Sequence, residues 1–146
     1  MGKVAIRLLR WMAVVPAGIL GWYLALLVGL ALLSGAKRLC PAESMVSGAC
    51  MAPWFRPVEA AVFALSAALA ATLVVLLPVV AAPGRRSAVA WVAFAVGLLV
   101  AVYFLVHTAA WREFGSAVAA GLLTVVGVVR GERGRAAKPR LAAPPS

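Results

Sequence analysis

The sequence predicts an all-α integral membrane protein: a bundle of four transmembrane helices with both termini cytoplasmic, short loops and a disordered basic C-terminal tail. Three observations carry the prediction. The chain is 65% hydrophobic and only 12% charged, with a mean hydropathy of +1.05, whereas soluble domains are about half apolar and a quarter charged. Its charges are confined to the gaps between long uncharged runs. Its basic residues fall unequally on the two sides that four crossings would create.

The elements follow in order. A bilayer core of about 30 Å needs roughly 20 apolar residues in a helix. Residues 11–35 carry no charge, nor do 60–84, and residues 87–111 are uncharged apart from the single His107. Between Glu113 and Arg130 lie 16 further residues. At about 1.5 Å per residue they cover roughly 24 Å, so Arg112 and Arg130 are expected to snorkel towards the interfaces. The expected organisation is one four-helix transmembrane domain over 1–130, with spans at about 11–35, 58–82, 88–111 and 114–130. Residues 131–146 form the disordered cytoplasmic tail. Lys3, Arg7 and Arg10 before an apolar run also suggest a cleavable leader, but an uncharged run of 25 residues exceeds a signal peptide's apolar core. A retained anchor is the reading kept.

Charge sets the orientation. Lys3, Arg7, Arg10, Arg85, Arg86, Arg130, Arg133, Arg135, Lys138 and Arg140 share the side of the termini, ten against Lys37, Arg38, Arg56 and Arg112 on the other. Positive residues in short loops stay in the cytoplasm. The expected location is therefore a bacterial cytoplasmic (inner) membrane, with the cysteine loop facing the periplasm or exterior. The same asymmetry accounts for most of the net charge of +10, so nucleic acid is not needed to explain it. The tail has no aromatic residue to stack on a base; its expected partner is the anionic lipid headgroup.

The stretch RLCPAESMVSGACMAPWFRP, residues 38–57, holds both cysteines. In an oxidising compartment two nearby thiols pair, and Ser47-Gly48 supplies a turn that brings them together. Cys40 and Cys50 are expected to form a disulfide, with Trp54 and Phe55 as interfacial anchors. A thiol-redox enzyme is the alternative, but the spacing is not Cys-x-x-Cys and no second pair is present to relay electrons. A zinc site would need Cys40, Cys50, Glu43 and His107 to converge, which the spacing does not suggest. No metal and no cofactor are expected.

Polar groups at the spans come next, because ionisable residues there are functional candidates. Pro57 fits a first helical position and Glu59 the third, where a carboxylate favours the positive end of the helix dipole. His107 lies one turn from Trp111, at a depth similar to Glu59, so Glu59, His107 and Arg112 form a candidate outer polar site. Small residues four apart allow close helix approach: Ala17, Gly21, Ala25 and Gly29 on the first span, Ala93, Gly97 and Ala101 on the third, Ala117 and Gly121 on the fourth. Tyr23, near mid-span, is expected to turn its hydroxyl to a neighbouring helix.

No Ser/His/Asp set, phosphate loop or paired carboxylate is present, so an enzyme is not expected. The first function class is a non-catalytic multi-pass membrane protein, an accessory or scaffold subunit with a membrane-protein partner or a second copy of itself. The others are a small transporter or channel using Glu59 and His107, and the thiol-redox protein.

Overall fold

The computed structural model describes residues 2–137. Four helices in it are long and apolar enough to cross a membrane, beginning at Leu8, Phe55, Arg86 and Trp111. The chain forms α1 (Gly2–Met12), α2 (Val14–Arg38), α3 (Phe55–Ala81), α4 (Arg86–Thr108) and α5 (Trp111–Ala137), with a small β-hairpin between α2 and α3.

α1 and α2 are nearly one helix. Ala13 stays in the right-handed region and donates to the Leu9 carbonyl, while Ala17 donates back to Ala13. The interruption lies three residues before Pro16, whose ring nitrogen has no hydrogen to return to Met12. In α1 the 3.6-residue repeat sets positions 3, 7 and 10 on one stripe. Leu8, Leu9 and Met12 are exposed on the opposite one, so this first segment is amphipathic where α2 is apolar all round.

α3 is the hub. It packs along α2 on one side and against α4 and α5 on the other, and α4 and α5 pack on each other, while α2 has at most slight contact with either. The arrangement is a triangle of α3, α4 and α5 with α2 hung on the outside of α3. A Cβ at Gly18 would sit 3.5 Å from the Pro78 ring, and one at Gly21 would lie 2.9 Å from the Leu73 backbone. α2 and α3 are therefore antiparallel and closely apposed. Gly121 of α5 meets the Phe94 ring of α4 in the same way.

Buried side chains gather at two ends. One cluster joins Val75, Val79 and Ala82 to Val89 and Ala90 of α4 and Val125 of α5, at the end where α2 and α4 begin and α3 finishes. The other lies at the opposite end under the loop: Cys50, Ala52 and Phe55, packed by Leu33, Ala36 and Cys40. Elsewhere the surface is apolar, with Leu99, Val106 and Leu123 more than 70% exposed. No polar side chain is buried among the described residues. Such a surface suits lipid as its solvent.

Three expectations are corrected. The fourth helix is not short: it begins at Trp111 and runs through Arg130 to Ala137, because Gly131 to Ala137 contains no proline and continues the turn. Residues 131–137, expected in a disordered tail, are helical; residues 138–146 of that tail lie outside the described residues. α3 begins at Phe55, not Pro57, which puts Pro57 third and Glu59 fifth, beyond the first turn. Tyr23 is 53% exposed and stacks edge-on against Trp22, 5.2 Å between ring centroids, rather than facing a neighbouring helix.

Candidate functional site

The loop between α2 and α3 is a built cap rather than a slack linker. Leu39 and Cys40 close the end of α2 by donating to the Ala36 and Lys37 carbonyls. Pro41 leads into a 3-10 turn over Ala42–Ser44, and the chain then reverses through strands Met45–Val46 and Ala49–Cys50. Ser47 and Gly48 both have positive φ, 49° and 79°, the signature of the two-residue turn whose twist matches a hairpin. Met45 pairs with Cys50 and Val46 with Ala49, and Met51 N–H donates to the Ser44 carbonyl at 2.9 Å.

Cys40 and Cys50 are joined, S–S 2.02 Å and Cα–Cα 6.0 Å. The disulfide ties the end of α2 to the second strand, and Phe55 fills the space beneath it. Phe55 is 4% exposed, so it is a core residue of the cap and not an interfacial anchor; Trp54 stays 38% exposed, its ring edge-on to Phe55. Burying a side chain of that size is worth about 1.5–3 kcal/mol. Outward the cap presents Leu39, Val46 and Met51, each more than half exposed.

The candidate polar residues do not converge. Glu59 is half-buried on α3, while His107 and Arg112 are exposed. His107 Nδ1 hydrogen-bonds the Tyr103 carbonyl of its own helix at 2.8 Å, and its ring lies 4.3 Å from the Tyr103 ring. No hydrogen bond or ion pair links Glu59 to His107 or Arg112 among the described residues. No group of three metal-ligating side chains occurs among them either.

Two polar residues not singled out in the sequence hold helices together. Ser116 Oγ on α5 lies 2.9 Å from the Ala64 carbonyl of α3 and 2.9 Å from the Glu113 carbonyl of its own helix. At the other end, Ser87 N–H, in the first turn of α4, donates to Glu132 Oε2 of α5 at 3.2 Å. This satisfies an amide that α4 itself cannot. Glu132, Arg86 and Arg135 share a pocket of about 440 Å³ there. A lone serine in an apolar run has no spacing signal. Glu132 had one: it is the single acid among the basic residues of the termini.

A groove of about 880 Å³ lies between α2 and α4. Ala67, Ala70, Ala71 and Val74 of α3 lie along it, and Arg85 and Glu113 are its charged lining residues. It exists because α2 packs mainly on α3 and has at most slight contact with α4.

No protein-family model, curated protein or solved structure matches the chain.

Proposed function

We propose that the chain is a non-catalytic multi-pass membrane protein, an accessory or scaffold subunit that engages its partner through the disulfide-closed cap. The observation that carries this reading is the construction of the cap. Joining two antiparallel helices needs only a short flexible loop. This one has its own small core, a hairpin, a disulfide and a row of exposed apolar side chains in Leu39, Val46 and Met51. Apolar groups held rigidly outside the spans cost little entropy to immobilise, which favours recognition. The two thiols are in a disulfide and Glu59 and His107 do not meet, so neither redox nor ion-coupled chemistry gains support from the geometry. In the orientation that the basic residues favour, the cap faces the periplasm or exterior of a bacterial cytoplasmic membrane, with the helical end of α5 inside.

The test is extraction of the tagged chain in mild detergent from its native membrane, comparing the unaltered protein with Val46→Asp and Met51→Asp. The expected result is a stoichiometric membrane partner, or a second copy of the chain, retained by the unaltered protein and lost from both variants while the disulfide stays intact. A partner held equally by all three would remove the cap from the interface. A pH-dependent ion flux in liposomes, lost in Glu59→Gln and His107→Gln, would replace the proposal with a transporter.

A further inference from the structure

We propose that the groove between α2 and α4 is a binding site for one anionic phospholipid, with its acyl chains along α3 and its phosphate at Arg85. Depth is the first argument. The wall formed by the end of α1 and the start of α2 runs from Trp11 to Trp22, and the α3 floor from Ala67 to Pro78, each about 16 Å at roughly 1.5 Å per residue. The part walled on both sides is therefore about half of a hydrocarbon core of about 30 Å, the depth of one leaflet, and only α4, α5 and the short link between them line the remainder. The chains of one lipid fit that two-sided part.

The lining is the second. Ala70 and Ala71 keep the floor low, and on the α4 wall a Cβ added to Gly97 would meet nothing within 4 Å. The space is open and mostly apolar, with Arg85 and Glu113 as its charged lining residues. A lipid tail fills such a space without directional demands.

Charge is the third. Val14, one turn from Trp11, packs against the Val79–Val89 cluster, so Trp11 and Arg85 share the mouth of the groove at the end where α4 begins. The two arginines at the start of α4 have divided surroundings. Arg86 lines the pocket with Glu132 and Arg135, while Arg85 is exposed and lines the groove. The groove's acid, Glu113, begins α5 at the opposite end of the helices. A guanidinium holds phosphate oxygens in pairs, and an indole favours headgroup depth. A phosphate without a choline cation of its own complements that mouth best.

The full chain, purified in mild detergent and passed through vesicles of phosphatidylglycerol or phosphatidylcholine, would be read by native mass spectrometry. One phosphatidylglycerol per chain is expected to survive, with Arg85→Gln lowering its retention about fivefold and leaving phosphatidylcholine unchanged. Gly97→Leu, whose Cβ meets nothing within 4 Å and whose side chain takes up space in the groove, is expected to remove either lipid. Helical circular dichroism and the intact disulfide mass show that each variant is folded. Equal retention of the two lipids, or no effect of Arg85→Gln, overturns the phosphate site. Retention unchanged in Gly97→Leu overturns the groove as its location. A dimer that Gly97→Leu abolishes assigns the groove to a second copy of the chain instead.

Discussion

At the scale of single residues, two glycines of the same helix have opposite surroundings. A methyl at Gly21 meets the Leu73 backbone at 2.9 Å, which cannot rotate away, whereas one at Gly35 meets nothing within 4 Å. Gly21→Ala gains about 0.5–1 kcal/mol of helix preference but forces α2 off α3, and overpacking costs about 1–3 kcal/mol. A net loss is expected for Gly21→Ala and a small gain for Gly35→Ala, read as opposite shifts in the thermal midpoint by circular dichroism in detergent. Loss of stability in both would mean the helices do not meet at Gly21. Ser116→Ala is expected to cost about 0.6 kcal/mol, the average for a hydrogen bond between membrane helices, and Thr124→Ala, which bonds its own helix at Ala120, less. The stripe of Ala17, Gly21, Ala25 and Gly29 was legible because its period matches the helix. Which member touches backbone was not, because that depends on the register of α3.

At the scale of elements, the cap was the best-read part of the chain. The cysteines, the Ser47-Gly48 turn and the flanking prolines are local signals, and local chemistry decides a hairpin. The start of α3 was misread because Pro57 suits any position of a first turn, and the burial of Phe55 under the disulfide moved that turn two residues earlier. Closing a ring of this size removes roughly 3 kcal/mol of loop entropy in the simple chain model. Cys40→Ser with Cys50→Ser is expected to raise hydrogen exchange across residues 41–53 and leave α3 to α5 protected. Loss of protection throughout would make the cap part of the bundle's stability. The fourth helix shows the reverse failure: counting uncharged residues stopped at Arg130, although arginine is a good helix former. Glu132→Ala is expected to cost about 0.5–2 kcal/mol by leaving the Ser87 amide without its carboxylate. The cost would appear as faster exchange in the first turn of α4.

At the scale of the whole molecule, the number of helices long and apolar enough to cross a membrane was legible from hydropathy, and their arrangement was not. Hydropathy does not say that α2 packs chiefly on α3. The orientation proposed from the basic residues makes a direct prediction. With both native cysteines replaced by serine, a single cysteine at Ser44 should react with an impermeant reagent in intact cells, and one at Ser87 only after permeabilisation. The reverse pattern would invert the protein in the membrane. The one-sided attachment of α2 also bears on biosynthesis. α2, the cap and α3 are consecutive in the chain, apposed along their length and locked at one end by a disulfide. They can therefore leave the insertion machinery as a finished hairpin before α4 and α5 are made. α2 packs mainly on α3, so a ribosome-bound chain arrested once α3 has left the ribosome should already carry the oxidised Cys40–Cys50 pair. The α3–α4–α5 triangle, by contrast, waits for the last helix.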